Sequence, residues 1–434
     1  MHIYFSGIGG AGIGPLAQVA KEAGYRVSGS DKQDSAYIGY LKSHGIENIH
    51  IGQTKEAITS LHDKNPIDWL VYTSALTLEN PHAEELEYAK DQGIRISKRD
   101  ELLNQILKDK KLNLIAIAGT HGKTTTTAMA TYLFKKLSIP VSYLLPAKTS
   151  FADMGEYDPK SNYFIYEADE FDRNFLSYEP HISLISGVSW DHHEIFNTRE
   201  DYIAAFNEFI SQSNKTIVWE EDSSYLSLDT DNQSIIELNS NDEFVNNIML
   251  VGLYNRLDAR LAVEAIHLAT NEPRDKLVEI INGFPGLSRR MEKLINNLYS
   301  DYAHTPEKIR GAMSVASEMV SGTDQNLIIV YEPLTDRRQH YILDEYKDCF
   351  DGATHVYWLD SYLAREDPNQ DILKPEKLIS HLSDPSIASV SKKGSDLKQV
   401  IQDHLDNGDM VVGIAGGGGG SLDDWLRDNF VKKN

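Results

Sequence analysis

The stretch Gly119-Thr120-His121-Gly122-Lys123-Thr124-Thr125-Thr126-Thr127 follows an apolar run at 112–118 and precedes a helical pattern at 128–137. That order takes a strand through a tight glycine turn straight into a helix start, the βα unit from which α/β sheets are built. It also makes a phosphate cradle, because backbone N–H groups converge on an anion and the helix dipole adds to them. Lys123 is placed to neutralise the β- and γ-phosphates of a nucleotide, and the Thr124 hydroxyl to ligate the accompanying Mg²⁺. Ile117 stands five residues before Gly122, where the general Walker A pattern has glycine. The loop is therefore the shorter Gly-x-x-Gly-Lys-Thr form, and its strand and helix context favours an ATP site over a solvated turn.

At 434 residues the chain exceeds one compact core, and its length predicts about three domains. The net charge of −23 disfavours non-specific binding to nucleic acid or anionic membranes, so a phosphate-rich ligand must find local positive charge. Lys123, Arg289, Arg290, Arg337 and Arg338 are the visible candidates. The single cysteine, Cys349, excludes an internal disulfide framework and fits a reducing compartment. No apolar run approaches the roughly 20 residues of a membrane span. The opening His2-Ile3-Tyr4-Phe5-Ser6 lacks a basic, then apolar, leader, so a cytoplasmic protein is expected.

The N-terminal segment repeats the strand–glycine–helix theme. A strand at 2–6 leads into Gly7-Ile8-Gly9-Gly10-Ala11-Gly12-Ile13-Gly14, an amphipathic segment follows at 15–23, and a strand at 26–29 ends at Ser30-Asp31. This meets the Gly-x-Gly-x-x-Gly fingerprint, with Asp31 where a Rossmann unit holds a ribose. Alone it reads as NAD, and it does not choose between NAD and a UDP-sugar. Strands at 69–72, running into Thr73-Ser74-Ala75, and at 94–97 continue the pattern, and Lys108-Asp109-Lys110-Lys111 reads as a linker or a solvated helix end. In the second unit, strands at 162–166 and 182–186 deliver Glu167-Ala168-Asp169-Glu170-Phe171-Asp172 and Trp190-Asp191-His192-His193-Glu194 to their C-terminal ends, where open α/β sheets bind ligands. Such clusters beside a phosphate loop predict Mg²⁺ ligands, Glu167 and then His192, and zinc is disfavoured for want of cysteine or a helical His-x-x-x-His spacing.

A helix at 255–269 and the break Gly283-Phe284-Pro285-Gly286 come next. Arg289-Arg290, a strand at 298–301, Tyr302-Ala303-His304-Thr305-Pro306 opening a helix, and strands at 327–331, 355–359 and 410–415 complete a third α/β domain. Gly416 to Gly420 and Ser421 read as a sheet-edge loop into the last helix, since no lysine follows. The expected architecture is α/β in three domains: Rossmann-like at 1–111, P-loop ATPase-like at 112–286, and Rossmann-like α/β at 287–434.

With the glycine fingerprint, Gly-Thr-His-Gly-Lys-Thr, Glu-Ala-Asp-Glu, Asp-His, Tyr-Asn, Arg-Arg and Asp-Tyr-x-His-x-Pro in this order, the chain resembles the Mur ligases from about residue 2 to its final helix. The resemblance implies an ATP-dependent amide ligase of peptidoglycan precursor synthesis. ATP would phosphorylate the carboxylate of UDP-N-acetylmuramate, an amine would attack the acyl phosphate, and positioning and charge stabilisation would carry catalysis. L-alanine is the implied acceptor, while Asp191-His192 through Ile195-Phe196 and Glu332-Pro333 look more like the recycling branch that attaches an intact murein tripeptide. The absence of lysine from 202–213, where several sister ligases carry a carbamylated one, favours these same two branches.

The resemblance also implies site residues. Lys123, His192 and Arg290 would be catalytic, and Gly119, Thr120, His121, Gly122, Lys123, Thr124, Thr125, Asn255, Arg290 and Asp301 would bind ATP. Thr124, Glu167 and His192 would hold Mg²⁺. Gly9, Gly10, Gly12, Asp31 and Ser74 would bind the UDP-sugar, and His304, Arg337 and Arg338 the acceptor, an amino acid or short peptide.

The chain also departs from the family pattern. Asp258 stands where the family has a second asparagine after Asn255, and its charge would weaken phosphate binding and strengthen cation binding if it touched either. The segment 332–340 lacks the His-Arg-Tyr-Thr-Arg-Thr order of alanine-adding enzymes, so Arg337 or Arg338 would substitute. Leu144-Leu145-Pro146-Ala147 replaces a glycine-rich loop. Two other readings stand beside the ligase. One is an NAD-linked dehydrogenase, carried by the first fingerprint alone. The other is a non-catalytic relative that binds ATP and UDP-sugar without releasing phosphate.

Overall fold

The computed structural model describes residues 1–434 except 11, 74, 75, 77–79, 81, 148, 191–194, 364–369 and 432–434, and leaves out the side chains of Ala36 and Arg337. Contacts divide the chain into two compact units, 1–248 with 257–284, and 249–256 with 285–434.

The first unit holds two sheets. Five parallel strands, β1 (His2–Ser6), β2 (Arg26–Asp31), β3 (Ile49–Ile51), β4 (Trp69–Tyr72) and β5 (Arg95–Lys98), lie in the order β3-β2-β1-β4-β5. Every residue of β1 is buried, as befits a central parallel strand covered on both faces. The order reverses between β1 and β4, the switch point where open sheets take ligands, and the first glycine loop leaves β1 there.

The second sheet holds β6 (Asn113–Ala118), β7 (Ser142–Leu144), β8 (Gly155–Glu156), β9 (Tyr163–Glu167), β10 (Ile182–Ile185), β11 (Thr216–Trp219) and β12 (Ile235–Leu238), ordered β12-β11-β10-β6-β9-β7-β8. β6, with its phosphate loop, lies between β9 and β10, so the acidic end of β9 and the exit of β10 flank the loop. One apolar cluster runs through both sheets, from Ile3, Phe5 and Leu16 through Leu102 and Ile106 to Leu114, Phe164 and Phe206.

The second unit holds β13 (Glu292–Ile295), β14 (Leu298–Asp301), β15 (Leu327–Glu332), β16 (His355–Trp358), β17 (Ala388–Val390) and β18 (Met410–Ala415), ordered β13-β14-β18-β15-β16-β17. All are parallel but β13, an edge strand that folds back on β14 through Asn296-Asn297. Asn297 turns at φ 61, a conformation asparagine tolerates. Sequence periodicity does not predict this strand, because only its last residue and Leu294 are aliphatic.

Of the two readings of 108–111, the helix end holds: residues 108–110 form the last turn of the helix Arg99–Lys110, which Lys111 ends in a left-handed conformation, and no linker separates the first two sheets there. One boundary differs from expectation. The helix after the phosphate loop begins at Lys123, not at 128. Its early turns are threonines, poor helix formers, but the Thr127 and Thr131 hydroxyls return to the carbonyls of Lys123 and Thr127. Among the described residues no helix is long and apolar enough to cross a membrane.

A buried ion network fixes the long helix Leu253–Thr270 to the next one, Arg274–Ile281, within the first unit. Glu264, 2% exposed, accepts from Arg260 at 2.8 Å and from Arg274 at 2.7 and 2.5 Å, and Arg260 also reaches Asp242 at 2.9 Å. Burial would raise the Glu264 carboxyl, but the Arg274 and Arg260 bonds overcome it and hold it below its ordinary 4.5. The folded value lies below the unfolded one, so this stability is present above pH 4.5 and disappears as pH falls through the folded value. Glu264→Ala should destabilise the chain by ~3 kcal/mol at pH 7, because it removes the buried carboxylate partner of Arg274 and one of the two partners of Arg260, and by less at an acid pH below the folded value. Urea melts at the two pH values check this.

Candidate active site

β6 carries the chain to Ala118, and Gly119 and Gly122 turn it at φ 144 and 75 into the helix at Lys123. Space requires glycine at both positions as well. A Cβ on Gly119 would stand 2.6 Å from Ser186 Oγ and 2.8 Å from the Gly187 carbonyl, and one on Gly122 would stand 2.5 Å from Asp258 Oδ1. Thr120 ties the loop to the exit of β10: its N–H donates to Gly187 O at 2.7 Å, and its hydroxyl meets Ser189 O at 2.7 Å and Tyr202 OH at 2.8 Å. The His121 ring lies against Gly187, and its carbonyl accepts from Ser186 Oγ at 2.5 Å. Thr120 and His121 therefore shape the loop, while Lys123, Thr124 and Thr125 occupy the helix's first turn.

Ile117 of β6 pairs with Glu167 of β9, which brings that carboxylate beside the loop. The Thr124 hydroxyl donates to Glu167 Oε2 at 2.8 Å. Lys123 Nζ donates to Gly119 O and Glu170 Oε2, both at 2.6 Å, with Asp169 Oδ1 at 3.9 Å. Burial alone would lower the Lys123 ammonium, but Glu170, Asp169 and Glu167 outweigh it and push its pKa up. Burial pushes both Glu167 and Glu170 up, and Lys123 only partly opposes it. One ammonium does not balance three carboxylates, and the surplus negative charge beside a hydroxyl oxygen fits a hard divalent cation. Among the described residues no group of three or more His, Cys, Asp or Glu side chains forms a closed metal cage, and Mg²⁺ needs none when phosphate oxygens and waters complete its shell. His192, the expected second ligand, lies outside the described residues, as does Ser74.

Asp258 packs against Gly122 and is 7% exposed. Burial drives its carboxyl well above the ordinary range, with only the Thr126 hydroxyl opposing. Burial therefore opposes the negative charge expected at this position.

In the first glycine loop, Gly9 N–H donates to Asp31 Oδ2 at 2.8 Å and Gly10 N–H to Gly7 O at 3.0 Å. Asp31 therefore holds the loop's shape from the end of β2. Gly12 faces Arg99 across the opening.

The second unit gathers a separate set of residues. Asn255 donates to Val251 O at 2.7 Å in the first turn of its helix. Asp301, at the end of β14, accepts from the N–H groups of Met291 and Ala303, both at 2.8 Å. Burial raises its carboxyl, and Arg290 and these two bonds oppose the rise. The Arg290 guanidinium lies 5.0 Å over the Tyr302 ring. His304 packs against Gly416, and its Nδ1 lies 2.9 Å from Tyr302 O, so Nδ1 carries the proton and Nε2 the lone pair. Burial first, then Lys308, Arg338 and Arg290, depress the imidazole to about 3, so it is neutral at physiological pH. Arg338 Nη1 is buried and, among the described residues, lacks a hydrogen-bond partner. The Arg337 side chain lies outside the described set.

Glu170 and Arg99 were not singled out by sequence as site residues. Glu170 lay inside a flagged acidic run, whereas Arg99, an isolated arginine opening a helix, gave no signal.

Two family descriptions match the chain: the Mur ligase family catalytic domain over residues 2–111 and the Mur ligase middle domain over 117–256. A UDP-N-acetylmuramate–L-alanine ligase of Clostridium botulinum strain Langeland is 30% identical, with 96% of this chain and 95% of that one covered. One from Clostridium acetobutylicum is 28% identical over the same shares. Among solved structures, the UDP-N-acetylmuramate-alanine ligase MurC of Thermotoga maritima superposes with a TM-score of 0.73 at 23% identity, covering 96% of each chain. A murein peptide ligase of Psychrobacter arcticus gives 0.62 at 22% identity, again over 96% of each. These likenesses establish the three-sheet α/β fold expected from the sequence.

Proposed function

This chain belongs to the Mur ligase family, and from that premise we propose that it joins L-alanine to UDP-N-acetylmuramate at the expense of ATP, in peptidoglycan precursor synthesis. The observation that carries the reading is the phosphate loop, with Lys123 poised over it and Thr124 bonded to Glu167 at its mouth. Mg²⁺ bound with ATP, held by Thr124 and Glu167, with His192 at a second site, would neutralise charge on the phosphates.

Lys123 then exchanges Glu170 for the transferring phosphoryl group. The first glycine loop seats the UDP moiety, its shape held by Asp31. Arg290, Asp301 and Asn255 serve the nucleotide as well. The unsatisfied Nη1 of Arg338 supports a carboxylate-binding role, with Arg337 beside it in sequence. Neutral His304, with its lone pair on Nε2, accepts from the acceptor's amine and orients it, since a group with a pKa of about 3 is too weak a base to deprotonate it.

Phosphate release from ATP and Mg²⁺ tests the reading. It should require UDP-N-acetylmuramate and L-alanine together, and L-serine, glycine and the tripeptide L-Ala-γ-D-Glu-diaminopimelate should give markedly less. Release with the tripeptide alone would move the chain to the recycling branch. Tight binding of both nucleotides without release would make it a non-catalytic relative.

A further inference from the structure

Among the described residues, Arg99 differs from several other partly buried arginines. Arg260 and Arg274 are bound by Glu264, Arg427 by Glu292 and Arg173 by Asp201. Among the described residues, the Arg99 guanidinium has no hydrogen bond and no ion pair within 4.0 Å. It leaves the end of β5 at the start of the helix Arg99–Lys110 and reaches the first glycine loop, where its Nη1 would stand 2.5 Å from a Cβ on Gly12. Any side chain at position 12 would displace it.

The guanidinium lines a cleft of about 140 Å³ together with Gly12, Pro15, Tyr166, Glu167 and Asp169. All of these residues belong to the first unit. Glu167 and Asp169 act on Arg99 through their charge but stand beyond ion-pair distance. A planar fork of N–H donors is thus kept charged, oriented by packing, and left unspent.

An anion with at least two oxygens beside Gly12 fits this fork, since Nη1 already points to that glycine and the charges of Glu167 and Asp169 repel an anion that comes nearer to them. We propose that Arg99 grips the diphosphate of the sugar nucleotide at the first glycine loop and shields it from Glu167 and Asp169. The inference rests on the reading of that loop as the UDP-sugar site. It accounts for how a chain of charge −23, with Asp31 already in the loop, accepts a diphosphate there.

Calorimetric titration of the full chain with UDP, UDP-N-acetylglucosamine and UDP-N-acetylmuramate, for wild type, Arg99→Lys and Arg99→Gln, tests it. Each variant should lose affinity for all three ligands alike, about tenfold for Lys, which keeps the charge, and about a hundredfold for Gln. KM for the sugar nucleotide should rise with kcat little changed, and ATP affinity and melting temperature should stay near wild type. A loss confined to UDP-N-acetylmuramate would assign Arg99 to the muramyl carboxylate and overturn the proposal. Unchanged affinity for all three in folded variants would make Arg99 a packing residue and overturn it equally. A wild-type chain that binds none of the three would instead sink the reading of the loop, an outcome that no Arg99 variant is needed to see.

Discussion

Lys123→Ala should lower phosphate release by about a thousandfold at saturating ATP and UDP-N-acetylmuramate, the loss typical of removing a preorganised charge from a dry site. The ammonium sits 2.6 Å from both Gly119 O and Glu170 Oε2, so it is held at the loop before any nucleotide arrives and only has to trade Glu170 for the phosphoryl oxygens. The substitution also leaves the Glu170 side chain, 0% exposed, without its ammonium. That carboxyl, already raised by burial, should then take up a proton, which limits the loss of stability to a few kcal/mol. UDP binding should survive, because the first glycine loop does not depend on Lys123. Steady-state phosphate release, thermal melting and UDP titration on one preparation separate these effects. Retention of a tenth of the activity would remove Lys123 from the chemistry.

Glu167→Gln should cost on the order of a hundredfold in rate at low Mg²⁺, with part of the loss recovered as Mg²⁺ is raised. The amide still accepts from Thr124 Oγ1, so the 2.8 Å contact and the loop are preserved while one negative charge leaves the cluster. With fewer carboxylates around it, the Lys123 ammonium is less strongly favoured, so Lys123 should become easier to deprotonate. A rate that falls equally at every Mg²⁺ concentration would assign Glu167 a structural role instead.

Much of the site was legible in the sequence because glycine and lysine spacing carries its own mechanism. The loop at 119–124 needs a positive φ at two positions and a cation at the helix start, and few other residues meet those demands. The acidic run at 167–172 was visible as a cluster, yet spacing did not reveal that Glu170 holds Lys123 while Glu167 meets Thr124, because strand pairing decides which carboxylate faces the loop. Asp258 shows the reverse error. Its type implied an added charge, whereas its burial against Gly122 disfavours the charge that sequence counts.

Local chemistry thus determined the α/β class, the two glycine loops, the acidic strand ends and the family, since each depends on a few neighbouring residues whose conformational and charge demands are written in order along the chain. Strand order, the shared core of the first two sheets, the edge strand at 292–295, the burial that raises the Asp258 carboxyl, the neutrality of His304, and an Arg99 guanidinium unpartnered among the described residues were decided by the tertiary structure. Those properties depend on which distant groups exclude water from one another, and burial, hydrogen-bond supply and electrostatic field are set by neighbours in space rather than in sequence.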